Sequence, residues 1–289
     1  METYSYNNLN HSFYLPSNIN KFFNVAFQIT KRCNYNCYLC CESDYCEELS
    51  TNEIFKIIDN LSVSGVERIC LTGGEPTCRA DLFSIIDYIH LNKIIITLAT
   101  NCSNLDISTI NFLKRKISNL RLTIYGTEKT HDNITQIVGS FKSIIKTIEM
   151  ANSNNIPVYI CLPIMQSNFH DLDFVYQFCS SNQIKKIIVF SLINKGYGKQ
   201  IFNKESIDCK QIQLKINSLK PTLTKVFWTS FTELGQCALI LPNGDLVGTP
   251  YNENYSMNYI VGNTLKSSLV DLWNKYPFKE NYINYYIKK

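Results

Sequence analysis

The sequence predicts an α/β fold: a partial (β/α)6 TIM-like barrel with a small C-terminal α+β extension. Three observations carry that prediction. Between residues 23 and 193, apolar runs of strand length alternate with amphipathic stretches of helix length about six times. The runs are near-continuously apolar, as in parallel strands covered on both faces. After residue 195 the alternation stops, and shorter elements with tight turns replace it. The expected organisation is an N-terminal extension over 1–22, the barrel over 23–195 and the C-terminal region over 196–289.

FNVAFQIT (23–30) is an apolar run suited to a buried strand. STNEIFKIIDNLSVSG (50–65) follows as an amphipathic helix. Ser50 or Thr51 can cap it, Glu53 sits in its first turn, and Gly65 ends it. ERICLTGG (67–74) is strand-like and ends in glycines, and RADLFSIIDYIHLN (79–92) places Leu82, Ile85, Ile86 and Ile89 on one helical face. KIIITLATN (93–101) and NLRLTIYG (119–126) are the third and fourth strands, with ISTINFLKRKI (107–117) as the helix between them. SFKSIIKTIEMANSNN (140–155), PVYICLPIM (157–165), HDLDFVYQFCSSNQ (170–183) and KKIIVFSLI (185–193) complete the alternation.

Beyond it, NKGYGK reads as a loop and KESIDCKQIQLKINSLK (204–220) as a helix. KVFWTSF (225–231) and CALILPNGDLVGTP (237–250) read as short strands, the latter folded at Asn-Gly, which supplies the positive φ of a tight hairpin. SSLVDLWNKYPF (267–278) reads as a closing helix.

Composition narrows the function classes. The 289 residues are 45% hydrophobic and 18% charged, an ordinary globular balance. A net charge of +4 with no Lys/Arg run gives no expectation of nucleic-acid binding. No apolar stretch reaches the length of a membrane span. The N-terminus, METYSYNNLNHSFYLPSNINKFF, lacks the basic and apolar regions of a secretory signal, so a cytoplasmic location is expected. In that reducing compartment twelve cysteines point to metal or redox chemistry.

Five of them crowd into TKRCNYNCYLCCESDYC (30–46). Cys33, Cys37 and Cys40 form C-x3-C-x2-C. Iron–sulfur clusters are usually held by four thiolates, so three would leave one iron open to a ligand. A structural zinc site wants four ligands and closure. A zinc-binding interaction module, completed by Cys41 or Cys46, is therefore the alternative of a different class. The second motif, LTGGEPTCRADLF, follows the second strand. Barrel chemistry gathers at the C-terminal strand ends, so both motifs land on one rim.

C-x3-C-x2-C after the first strand and GGEP after the second, in that order, resemble the radical S-adenosylmethionine (SAM) superfamily. The resemblance continues through TLATN (97–101) and LTIYGTEKTHDNITQIVGSF (122–141) and covers residues 23–193. It implies a barrel of the radical SAM type. It implies that Cys33, Cys37 and Cys40 bind three irons of one [4Fe–4S] cluster and that SAM chelates the fourth. An electron from a donor such as flavodoxin or ferredoxin would then cleave SAM, and the 5′-deoxyadenosyl radical would abstract hydrogen from the substrate. Gly73, Gly74, Glu75 and Pro76 would face the SAM amino group, and Asn101 and Thr123 match positions that contact SAM. Two departures stand out: Leu39 replaces a common aromatic residue, and Asn101-Cys102 replaces a common Asn-Gly.

The 122–141 segment resembles that of members acting on peptides and small natural products. The implied substrate is a peptide or small molecule, and the outcome epimerisation, dehydrogenation or cross-linking. The CNYxC spacing also resembles the nucleotide-modifying viperins. The region from Cys237 resembles the SPASM and twitch modules, which bind auxiliary clusters. Here Thr249 stands where the second cysteine is expected, and no cysteine follows Cys237. A degenerate module without an auxiliary cluster is expected. Cys237, then Cys209, is the candidate hydrogen-atom donor to a substrate radical. Cys70, Cys161 and Cys179 read as core, His131 and Asp132 as loop structure, and His90 as a complement to its helix dipole.

Overall fold

A computed structural model describes residues 20–42, 47–229, 237–249 and 260–287. One sheet organises them. β1 (Asn24–Gln28), β2 (Arg68–Thr72), β3 (Ile95–Thr100), β4 (Asn119–Thr123), β5 (Val158–Ile164), β6 (Lys186–Ser191) and β7 (Lys225–Thr229) lie side by side in chain order, all parallel. β8 (Cys237–Ile240) adds to the free edge of β1, again parallel, with Val25 opposite Ala238. β9 (Asp245–Thr249) and β10 (Ile260–Asn263) extend that edge antiparallel. The C-terminal strands therefore continue the sheet at both ends.

The helices are α1 (Thr51–Val63), α2 (Leu82–Leu91), α3 (Ile107–Leu113), α4 (Glu128–Thr135), α5 (Ser140–Ser153), α6 (Leu172–Ser181), α7 (Tyr197–Glu205), α8 (Cys209–Asn217), α9 (Leu269–Lys275) and α10 (Lys279–Ile287). α1 shows why the local sequence folds as it does. The Ser50 side chain accepts from the Glu53 N–H, and the Glu53 carboxylate accepts from the Ser50 N–H, closing a capping box. Ile54, Ile57, Ile58 and Leu61 then bury one face. Each such side chain contributes about 1.5–3 kcal/mol.

Strand residues alternate between two environments. Val25, Phe27, Ile69, Leu71, Leu120 and Leu122 pack into the main core shared with the helices. The intervening Cys70, Thr97, Arg121, Tyr159 and Lys186 face the concave side. Arg121 on β4 and Cys237 on β8 lie within electrostatic reach of each other. The two strands are four steps apart in the sheet, about 19 Å if it were flat. The sheet is curled, as a partial barrel requires.

Several elements differ from the sequence reading. Residues 197–199, within the 194–199 stretch read as a loop, open α7, and the helix read over 204–220 is split at 206–208. Asp208 accepts from the Lys210 N–H and restarts the chain as α8. α4, inside the segment read as strand and loop, is short and polar, and Thr127 caps it by accepting from the Thr130 N–H. The Asn-Gly hairpin is present, with Gly244 at φ +86°. α9 and α10 pack against the root of β1. The Tyr282 hydroxyl accepts from the N–H groups of Phe23 and Asn24 and donates to the Asn24 carbonyl. Phe22 sits edge-on to Trp273, Tyr276 and Tyr282.

Candidate functional site

The cysteine loop leaves the C-terminal end of β1 and is fixed by backbone pairing to the turn after β2. Gly74 N–H donates to the Thr30 carbonyl at 2.8 Å, and Glu75 N–H to the Arg32 carbonyl at 2.8 Å. This explains both glycines. A Cβ on Gly73 would stand 2.6 Å from the Thr30 carbonyl oxygen, and one on Gly74 2.4 Å from that of Arg32. The close approach that the glycines permit is to the cysteine loop itself.

Charged side chains complete the attachment. Glu48 accepts from the Thr30 hydroxyl at 2.6 Å and the Lys31 N–H at 2.8 Å, and it faces Arg32 and Arg79. Arg79 grips Asp81 with two parallel bonds and donates to the carbonyls of Ile29 and Leu49. Hydrogen bonding to this guanidinium pulls the Asp81 carboxyl down to about 2. Lys31 pairs with Glu42. On the other flank the chain after β6 comes so close that a Cβ on Gly196 would stand 2.6 Å from the Cys40 carbonyl oxygen. The next N–H, of Tyr197, donates to that oxygen at 2.8 Å. Leu39 is spent on packing: it joins Tyr125, Ile134, Met165 and Leu192 in a second, smaller core.

Cys33 is exposed, while Cys37, Cys40 and Cys41 are partly buried. Burial pushes the thiols of Cys33 and Cys40 above the ordinary range. Burial, reinforced by the neighbouring Cys40 and Cys33, pushes Cys37 up to about 12. The Cys33 sulfur accepts from the Tyr35 N–H, and the Asn101 amide lies 3.9 Å away. Among the described residues, no three Cys, His, Asp or Glu side chains converge as ligands of a single metal ion would. In a [4Fe–4S] cluster each thiolate binds its own iron, so its ligands stand apart. Three soft donors on one eight-residue span (33–40) suit that arrangement. The protonated thiols must release protons to bind iron. Cys46 lies outside the described residues.

Glu75 is fully buried. One carboxylate oxygen accepts from the Thr77 N–H (3.0 Å), the Thr77 hydroxyl (2.7 Å) and the Thr100 hydroxyl (2.9 Å). The other accepts from the Asn101 N–H at 2.6 Å. Burial pushes this carboxyl up, and the four donors pull it back. Glu75 thus clasps the ends of β2 and β3. Pro76 is buried and opens the single 3-10 turn that delays α2 to Leu82. Asn101 bonds Asn34 and Ser103, beside Cys33. Cys102 takes φ +69°, the left-handed conformation that glycine adopts without strain. Thr123 ends β4, level with Cys161.

The rim therefore gathers Cys33, Cys37, Cys40, Gly73, Gly74, Glu75, Pro76 and Asn101, with Thr123 at the same end of the sheet. It does not gather Cys237. That residue opens β8 at the end where the strands begin, one step before the Val25–Ala238 pair, near Tyr276 and Tyr282. Cys209 opens α8. His131 is buried, accepts from the Tyr125 N–H, and is lowered to about 4 by burial. Asp132 accepts from the N–H groups of Gly139 and Phe141, tying α4 to α5. Sequence reasoning missed Arg79, Gly196 and Arg121. Only Arg121 carried a signal, a charge in the middle of an apolar strand.

Residues 27–179 match the family model described as the radical SAM superfamily. The chain belongs to that superfamily. It is a superfamily that works with a [4Fe–4S] cluster and SAM. Over 63% of its length this radical SAM chain is 26% identical to Fe-coproporphyrin III synthase of Methanosarcina barkeri, covering 47% of that protein. Over 66% it is 26% identical to the sporulation killing factor maturation protein SkfB of Bacillus subtilis, covering 48% of it. The chain thus spans about half the length of the curated relatives it matches. Among solved structures, Streptococcus suis SuiB bound to its precursor peptide SuiA superposes with a TM-score of 0.73 at 16% identity, over 93% of this chain and 67% of that one. SuiB is also described bound to SAM. At that identity the likeness establishes the fold. No helix among the described residues is long and apolar enough to cross a membrane.

Proposed function

We propose that this chain is a radical SAM enzyme acting on a peptide or small natural product. The observation that carries the reading is the rim itself: a three-cysteine loop locked, backbone to backbone, against the glycine turn. Cys33, Cys37 and Cys40 would hold the cluster. Bound there, the cluster and SAM supply hydrogen-atom abstraction by a carbon-centred radical, with an electron from a flavodoxin- or ferredoxin-type donor.

The chain's own residues divide the remaining tasks. The N–H groups of Gly74 and Glu75 are taken by the cysteine loop, and the Glu75 carbonyl accepts from Cys78. Among the described residues no backbone hydrogen bond reaches the carbonyls of Gly73 and Gly74. They remain as acceptors, which suits an ammonium donor such as the SAM amino group. Asn101 and Thr123 would position the rest of SAM. Glu75 holds the two strand ends in place, and Leu39 and Gly196 shape the loop from below. Residues 23–195 form the core in this reading, and 196–289 a SPASM/twitch-like remnant. Thr249 stands opposite Cys237 in the β8–β9 ladder, so that pair offers a single thiol.

Peptide substrates are favoured because SuiB is described bound to a precursor peptide and SkfB as the maturation protein of a sporulation killing factor. The test is anaerobic reconstitution followed by incubation with SAM and reductant. About four irons per chain, and 5′-deoxyadenosine rising above background with a peptide fraction, are expected. A colourless, iron-free protein after reconstitution would defeat the reading. A rise with porphyrins or nucleoside triphosphates, and none with peptides, would move the substrate class.

A further inference from the structure

The concave face of the sheet carries a charge that no described residue matches. Arg121 sits in the middle of β4, between Ala99 on β3 and Tyr159 on β5. Its strand neighbours Leu120 and Leu122 point to the helices, so Arg121 points inward. Its surroundings are Cys70, Tyr159, Cys161 and Cys237, drawn from strands on both sides of the curl. Among the described residues its guanidinium has no hydrogen bond and no ion pair. Among the described residues, the inward positions of β1–β8 include Arg68, Arg121, Lys186 and Lys225 but no Asp or Glu. Lys186, the next inward cation, lies over the rings of Tyr159 and Phe227 at 5.4 and 5.1 Å.

An enclosed guanidinium without a partner costs stability, and proteins keep such groups paired or hydrogen-bonded. An enclosed one that stays open to the concave space is placed to receive a ligand. Arg121 lies two residues before Thr123, about 7 Å further down the strand from the rim. A guanidinium presents a planar fork that matches one carboxylate with two parallel bonds. We infer that Arg121 anchors a carboxylate carried by the substrate, inside the barrel beneath the cysteine rim. The assignment of that carboxylate to a substrate rests on the proposed enzymatic reading; the anion site does not.

The test uses the reconstituted, SAM-loaded full chain and measures binding by calorimetry, with glutarate as probe and uncharged glutaramide as control. Glutarate binds, and glutaramide does not. Arg121→Gln weakens glutarate binding by about tenfold or more, as expected for a lost charge-assisted pair, and Arg121→Lys keeps part of it. Arg121→Gln melts at or above the wild-type temperature, because it removes an unpaired enclosed charge. Equal glutarate affinity in wild type and Arg121→Gln overturns the inference, as does a variant that melts several degrees lower. Competition between glutarate and SAM would assign Arg121 to the cofactor and also overturn it. Tighter binding of inorganic phosphate than of glutarate would replace the carboxylate and count against it. None of these readouts needs turnover, so failure here is distinguishable from failure of the enzymatic reading.

Discussion

Replacing Glu75 by Gln isolates the clasp between the β2 and β3 ends with almost no change in shape. The best placement of the amide keeps its oxygen where one carboxylate oxygen now accepts from Thr77 and Thr100. Its NH2 then faces the Asn101 N–H, at a position now 2.6 Å from an acceptor. Two donors oppose each other in a buried site. The loss of one bond to a charged acceptor is worth about 1.5–3 kcal/mol, and the unsatisfied buried N–H adds about 1–3. Glu75→Gln should therefore cost about 4 kcal/mol, with much of the three remaining bonds' charge assistance also gone. Urea unfolding of the chain without SAM, under anaerobic conditions, measures it. A loss below about 1 kcal/mol would refute the reasoning, since it would mean that the four donors find other partners. Restoration of stability by saturating SAM would instead give Glu75 a ligand-binding role.

Gly74→Ala places a methyl group 2.4 Å from the Arg32 carbonyl oxygen. Backbone must move, so we expect a cost of about 1–3 kcal/mol together with reduced iron uptake; full iron content at wild-type stability would contradict the contact. Alanine at Cys33, Cys37 or Cys40 should abolish the reconstituted chromophore near ~400 nm, whereas Cys41→Ser and Cys46→Ser should keep it. His131 titrates at about 4 in the folded chain because burial disfavours its charged form. Its ordinary value is about 6.5, so the unfolded chain binds the proton first. The stability it contributes is complete above pH ~6.5 and is lost as pH falls towards 4, by about 3 kcal/mol. Denaturant midpoints across that range should show the slope, and His131→Gln should flatten it.

The barrel strands were legible because near-continuous apolar runs leave few alternatives to burial on both faces. β1 to β6 accordingly lie where the runs are. Helices α4, α7 and α10 were not legible: EKTHDNIT buries one aliphatic side chain, Ile134, and is started by the Thr127 cap, and YGKQIFNKE buries only Gly198 and Glu205. At the rim, residue types and order pointed to two loops that the structure brings together. What they could not show is direction. Gly73 and Gly74 read as room for a ligand, yet their nearest atoms belong to the cysteine loop. Leu39 read as a missing aromatic contact, yet it is a buried anchor. Arg121 is a single charge between Leu120 and Leu122, and only the curl of the sheet shows that no acid among the described residues answers it.

The pairing of β8 with β1 has a consequence for the order in which this molecule is made. The strand that carries the cysteine loop emerges early from the ribosome, but its outer neighbour, Cys237–Ile240, and the tyrosine that satisfies Phe23 and Asn24 come near the end of the described chain. Until then the outer edge of β1 lacks its strand partner, beside the cysteine loop. A nascent chain would hold its cysteine loop on an unfinished strand. This connectivity gives the cysteine loop its finished footing only after β8 docks, late in translation or beyond it.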